Sequence, residues 1–227
     1  MLNFKNDIAP LGGWLTEDEG MFLYDTAKAV EPKHTVVEIG SWKGKSTICL
    51  GRGAQRGGGA RVFAVDPHTG SPEHRRVFGE ALDTFADFTK NIERAGVQSC
   101  VLPVRDASVN VAKRFTKPIG FVFIDGAHDL HSVKQDFASW FPKVVSGGVI
   151  AFHDAWHLAG PQLFTSFLLL SSRNLRNPRL IDTITSFEKV GRNTAADRIH
   201  NLAFFLWRTI AGVYGFLKLK LSGSVWK

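Results

Sequence analysis

Five apolar runs of strand length in the first 154 residues each have an acid at or just past their end, and this recurrence most constrains the fold. Residues 34–39 carry Glu38, 61–65 lead to Asp66, 101–104 to Asp106, 119–124 to Asp125, and 148–152 to His153-Asp154, with Gly147-Gly148 turning into the last run. Helical patterns lie between them: 46–50, a long one over 74–95 carrying Phe78, Leu82, Phe85, Phe88 and Ile92, then 108–115 and 130–137. Strands alternating with helices predict an α/β domain with an open, mostly parallel, Rossmann-like sheet and helices on both faces. Two further runs, 179–182 and 185–190, read as an antiparallel edge pair. Ligands of such sheets lie beyond the carboxyl ends of the strands, where all these acids stand. Structural acids scattered at random would not take that place five times.

The first strand runs into Gly40-Ser41-Trp42-Lys43-Gly44-Lys45-Ser46, a tight turn opening a helix. Gly-Lys-Ser invites a phosphate loop, but that loop needs four residues between its glycines and here there are three. A dinucleotide turn of the form G-x-G-x-x-G would need glycine where Trp42 stands, and the indole would block a pyrophosphate. What remains is Glu-x-Gly-x-x-x-Gly, an acid and a glycine turn with no phosphate to bind. Asp66 lies 22 residues after Gly44, close to the ~20 expected for an acid that binds ribose hydroxyls at the end of a second strand. Asp106 suits either an adenine amino group or the cap of the following helix.

Composition narrows the class. The chain has 227 residues, 44% hydrophobic and 22% charged, enough for one sizeable domain with a real core. Its net charge of +7 favours an anionic partner, membrane surface or acidic substrate, yet no Lys/Arg run suggests nucleic acid. Cys49 and Cys100 are the only cysteines and lie among apolar neighbours, so neither a zinc site nor a disulfide framework is expected. Residues 1–13 hold Asp7 and Pro10 and no long apolar core, unlike a signal peptide, so a cytoplasmic location is expected. Thr16-Glu17-Asp18-Glu19 is a capping box that starts a helix ended by Pro32. Residues 51–59, rich in glycine with Arg52 and Arg56, read as a flexible connection. The basic triplet His74-Arg75-Arg76 reads as a solvated helix face.

Two units are expected: a domain over 1–192 and a C-terminal apolar helix over 193–227. In that helix, apolar residues from Ile199 to Leu221 cover most of the circumference, with Lys218 and Lys220 near the end. His200, Asn201 and Arg208 make it a poor membrane span. Packing on its own domain or on a second copy, giving a homodimer, ranks above contact with an anionic membrane surface.

The turn 38–46 has the form E-x-G-x-aromatic-x-G-x-S and resembles class I S-adenosylmethionine (SAM)-dependent methyltransferases, in particular catechol-type, metal-dependent O-methyltransferases. The runs Ile124-Asp125-Gly126-Ala127-His128 and Gly147-Gly148-Val149-Ile150-Ala151-Phe152-His153-Asp154 are similar to a branch of that superfamily acting on antibiotics and sugars. The resemblance implies a class I methyltransferase fold. It implies SAM held by Glu38, Gly40, Ser41, Trp42, Gly44, Ser46, Asp66, Asp106, Ala107 and Asp125. It further implies a divalent metal, Mg²⁺ with Mn²⁺ as the alternative, on Asp125, His153 and Asp154. Imidazole suits Mn²⁺, Fe²⁺ or Zn²⁺ better than Mg²⁺, so His153 is equally a candidate to hold water or act on the acceptor. Catechol-type enzymes carry a lysine where His128 stands, which makes His128 the expected general base with His153 as its rival. The implied activity is methyl transfer to a hydroxyl of a sugar or similar metabolite. Its rivals are a metal-free methyltransferase and a non-catalytic SAM-fold module that binds a membrane or a partner.

Overall fold

The computed structural model describes residues 6, 8–71, 75–77, 79 and 81–221, with side chains in the last helix up to residue 212. One sheet contains β1 (Thr35–Ile39), β2 (Arg61–Val65), β3 (Val101–Val104), β4 (Ile119–Ile124), β5 (Val144–Phe152), β6 (Leu175–Ile181) and β7 (Ile184–Lys189). Its order is β3-β2-β1-β4-β5-β7-β6. β1 to β5 are parallel, while β7 runs antiparallel to β5 and to the edge strand β6. The chain lays β2 and β3 on one side of β1 and then crosses to β4 on the other. This reversal leaves a crevice above the carboxyl ends of β1 and β4.

Helices α1 (Glu17–Lys28), α2 (Lys45–Arg56) and α3 (Phe85–Arg94) cover one face, and α4 (Ser108–Arg114), α5 (Leu130–Trp140) and α6 (Ala159–Ser171) the other. Side chains alternate across a strand, and β1 divides accordingly. Val36 joins the core with Leu23, Ile48 and Phe88, and Val37 and Ile39 join the core with Val133, Trp140 and Phe164. The same period sends Glu38 to the α2 side.

Four local expectations change. Residues 51–59 are not a flexible connection: α2 continues to Arg56, because a Cβ at Gly53 would stand 2.1 Å from the carbonyl oxygen of Tyr24. The glycine lets α1 and α2 approach to backbone contact. The helix expected over 74–95 is reduced to α3, with a separate turn at 75–77; His74 and Phe78 lie outside the described residues. The break comes from Thr84, whose N–H donates to the carbonyl of His68 at 3.1 Å and whose hydroxyl meets His68 Nδ1 at 3.0 Å. β5 begins at Val144, so Gly147 and Gly148 lie inside it, Gly147 at φ +84 where the pairing with β4 shifts register. The edge pair begins earlier than read, at Leu175.

The C-terminal helix α7 (Ala195–Leu221) lies against α6 and β6. Asn201 Nδ2 donates to Leu175 O at 2.8 Å. Arg208, 3% exposed, donates to Thr165 Oγ1, Thr185 Oγ1, Ser166 Oγ and Gln162 O. Burial lowers its pKa to about 10, which still leaves it charged at neutral pH. A buried guanidinium needs this many acceptors to offset desolvation. Among the described residues, no helix is long and apolar enough to cross a membrane.

Candidate active site

The glycine turn is shaped by close approach. Gly40 has φ +85, and a Cβ there would stand 2.0 Å from the carbonyl oxygen of Asp125, so only glycine lets β1 and β4 end side by side. Gly44, at φ +88, caps α2. Between them Trp42 also adopts positive φ, +48, a conformation that costs a non-glycine residue about 1 kcal/mol or more. Asp66 holds this turn in place. Its Oδ2 accepts from the N–H groups of Ser41 and Trp42, both at 2.8 Å, and Oδ1 accepts from His68 N at 2.6 Å. A carboxylate has about four lone-pair directions, so Oδ1 keeps one for a further donor.

Glu38 departs from its expected place. It is fully buried, accepts from the Thr47 hydroxyl on α2, and does not line the cleft. Burial raises its pKa to about 8, against hydrogen bonds from Ser46 and Thr47, so it is neutral at pH 7. The reason is its parity on β1: it points beneath the turn, not into it. Asp106 also turns away. Its Oδ1 accepts from Ala107 N–H at 2.7 Å, and its Oδ2 from Arg114 at 2.7 Å, while Ala107, Ser108 and Val109 line the cleft instead. It does not cap α4 either, whose N-cap is Ala107 without a side-chain cap hydrogen bond; its oxygens are held by Ala107 N–H, Asn110 and Arg114.

Opposite the turn, the ends of β4 and β5 bring charged side chains together. His153, 4% exposed, stands with Nδ1 3.0 Å from Asp125 Oδ1 and 3.4 Å from Asp154 Oδ2, and Nε2 3.4 Å from Glu19 Oε2. Burial opposes its charge, but Asp125, Asp154 and Glu19 outweigh burial and raise its pKa far above the usual imidazole range. Both ring nitrogens thus face carboxylates, Nδ1 those of Asp125 and Asp154 and Nε2 that of Glu19. His128 has the opposite character. Its Nε2 lies 3.5 Å from Asp154 Oδ2 and 3.9 Å from Asp125 Oδ1, is buried, and has no hydrogen-bond partner among the described residues. Burial lowers its pKa, and the two aspartates more than restore it. Single donor atoms of Asp125, His128 and Asp154 lie within 4.8 Å of one another. Asp154 sits at φ +52, a second strained residue on the cleft wall.

Glu19 was hidden from sequence reasoning. It completes the predicted capping box, accepting from Thr16 N at 2.9 Å. Its carboxylate also accepts from Thr183 N at 2.9 Å and Thr183 Oγ1 at 2.6 Å and faces His153. Burial works against this charge, but His153, Thr16 and Thr183 hold its pKa at about 2. Asp136 is a second omission. It lines the cleft from α5, and burial raises its pKa to about 6. In sequence it is one polar residue on a helix, without a spacing to mark it.

Between the two walls lies a cleft of ≈ 430 Å³. Gly40, Ser41, Trp42, Ser46 and Asp66 line one side, Ala107, Ser108 and Asp136 another, and Asp125, His128, His153 and Asp154 the far end. One wall thus offers backbone and an acceptor carboxylate, and the end offers a charged donor set.

An α/β sheet of this order, with its crevice over β1 and β4, is the class I methyltransferase fold. Solved structures with the same fold include the O-methyltransferase NovP, with 13% identity, TM-score 0.64, and 76% of this chain and 80% of that one covered. They also include the O-methyltransferase TomG of Streptomyces achromogenes in complex with SAM, with 17% identity, TM-score 0.58 and coverage of 78% and 82%. A third is an O-methyltransferase of Bacillus cereus in complex with SAH, with 20% identity, TM-score 0.56 and coverage of 78% and 83%. Residues 37–155 match the family model described as "Methyltransferase domain", and the chain belongs to that family. The uncharacterized protein y4gI of Sinorhizobium fredii is 28% identical over an alignment of 155 residues that covers 64% of this chain and 15% of that much longer one.

Proposed function

We propose that the chain is a SAM-dependent O-methyltransferase that methylates a hydroxyl of a sugar or similar metabolite with help from a divalent metal. The observation that carries the reading is the orphaned, buried Nε2 of His128 beside Asp125 and Asp154 at the end of the cleft. SAM would lie along the glycine turn, with a ribose hydroxyl donating to the free direction on Asp66 Oδ1 and adenine beside Ala107, Ser108 and Asp136. The SAM- and SAH-bound relatives support that cofactor.

The donor set fits a divalent cation. Glu19, Asp125 and Asp154, in their formal charges, carry three negative charges against one on the His153 imidazolium. A net charge of about −2 in a largely buried place favours a divalent ion. Asp125 and Asp154 would hold it; bound there, it would lower the pKa of an acceptor hydroxyl. His128 Nε2 takes the hydroxyl proton, and Asp154 stabilises the imidazolium that forms. The acceptor oxygen then bonds to the methyl carbon as the carbon–sulfur bond breaks, leaving S-adenosylhomocysteine. The sulfonium supplies the driving force, so the cleft mainly positions the reactants. A hydroxyl acceptor is supported by the O-methyltransferases of the same fold, and its sugar character by the sequence resemblance alone.

The test is methyl transfer to a panel of glycosides and catechols, with and without chelator, alongside SAM binding by calorimetry. Transfer abolished by chelator, with SAM binding retained, is expected. Full transfer in chelator would remove the metal and leave His128 as the sole base. His128→Asn should lose transfer by about a hundredfold or more while still binding Mg²⁺; loss of Mg²⁺ binding would make His128 a ligand instead.

A further inference from the structure

The face of α6 and of α7 up to residue 212 that is turned away from the domain is apolar and, among the described residues, unpartnered. On α7, Ile199, Leu202, Leu206 and Ile210 are 47–69% exposed and recur at three- and four-residue spacing, which puts them in one stripe. On α6, Leu163, Phe167 and Leu170 are 47–59% exposed with the same spacing. The two stripes are continuous, since Leu170, Ile199 and Leu202 line one shallow cleft. Monomeric soluble proteins rarely expose contiguous apolar surface of this extent. The inward face of α7 is already fixed by Asn201 and Arg208, so the outward stripe is not needed to hold the helix.

Charge indicates what covers it. At the start of α7, Arg173, Arg192 and Arg198 line one cleft next to the stripe. The sequence places Lys218 and Lys220 in the last turns of the same helix. α6 and α7 together contain one acid, Asp197, whose carboxylate is taken by Thr194 N and Oγ1. A second copy of this chain, itself at +7, would set cations against cations around the stripe. An anionic lipid surface would meet the same rim with the opposite sign. Apolar residues flanked by arginine and lysine, with Trp207 53% exposed beside them, form a helix that lies in the headgroup region. We propose that the α6–α7 face binds the surface of a bilayer rich in anionic lipid. α7 would rest in the interface plane, its stripe in the acyl boundary and Arg173, Arg192 and Arg198 on the headgroup phosphates.

The surface also bears on the cleft. A Cβ at Gly212 of α7 would lie 3.5 Å from the Trp156 ring, two residues beyond Asp154. α7 thus packs on the segment that follows Asp154.

The test uses the full chain with vesicles of phosphatidylcholine alone and of phosphatidylcholine with phosphatidylglycerol, read by co-sedimentation. Binding to the anionic vesicles only is expected. The double variant Arg192→Gln/Arg198→Gln, which changes only surface side chains, should weaken partitioning roughly twenty-five-fold, at about fivefold per cation. Leu206→Asp/Ile210→Asp should abolish it while circular dichroism melts stay close to wild type. Equal binding to both vesicle types would overturn the proposal, as would binding to neither. A dimer in analytical ultracentrifugation, dispersed by Leu206→Asp/Ile210→Asp, would assign the face to a second copy and also overturn it.

Discussion

Replacing Glu38 by glutamine isolates the effect of one buried carboxyl in the strand layer. Glu38 is fully buried, with its pKa raised from 4.5 to about 8 by desolvation. The folded state therefore keeps a proton that the unfolded chain loses above pH 4.5. The associated stability is fully present below pH 4.5 and falls as pH rises toward 8. A gap of about three and a half pH units at about 1.4 kcal/mol each amounts to about 5 kcal/mol by pH 8. The glutamine side chain would keep the shape and the hydrogen bond from Thr47 without titrating. Urea denaturation should find wild type and Glu38→Gln within about 1 kcal/mol of each other at pH 5. By pH 8 the variant should lead by several kcal/mol. Parallel stability curves from pH 5 to 8 would refute a proton on Glu38, and with it the claim that this acid lies beneath the turn and away from the ligand.

Gly53→Ala sets two effects of opposite sign against each other. Alanine gains about 1 kcal/mol of helix propensity, but its Cβ would stand 2.1 Å from the Tyr24 carbonyl oxygen and overpacking costs up to about 3 kcal/mol. A net fall in melting temperature of about 5 °C is expected, and a rise would mean α1 and α2 are not in backbone contact. Glu19→Gln should flatten the acid limb of stability. Its folded pKa of about 2 gives wild type a contribution present above pH 4.5 and lost as pH falls toward 2, worth about 3 kcal/mol. An unchanged acid-unfolding profile would mean that Glu19 is not held as a buried anion by His153 and Thr183.

The sheet and most of the site were legible because they rest on periodicities. Apolar runs ending in Asp66, Asp125 and His153-Asp154 report strand ends through a local pattern. The orientation of Glu38 was equally local, since Val36 and Glu38 share one face of β1, but its motif drew attention away from its parity. Glu19 was not legible, because its second role joins α1 to Thr183 and His153 across a separation of more than 130 residues. The exchange of character between His128 and His153 was hidden for the same reason. Sequence placed both near Asp125, but only tertiary packing gives His153 a carboxylate on either side and leaves His128 Nε2 without a hydrogen bond. Glycine at 51 and 53 read as flexibility when its cause was contact, a distinction that depends on the neighbouring helix.

The capping box of α1 has a consequence for how the molecule breathes. Helix ends are where amide exchange is fastest and fraying begins. Here the Glu19 carboxylate that closes the box also ties down Thr183 and faces His153. Opening the first turn of α1 therefore releases the β6–β7 turn and strips His153 of one counter-charge in the same event. Amides at the start of this helix and at Thr183 should exchange as one unit, and occupancy of the cleft should slow them together. An end that would ordinarily be the loosest part of a helix becomes a reporter of the catalytic centre.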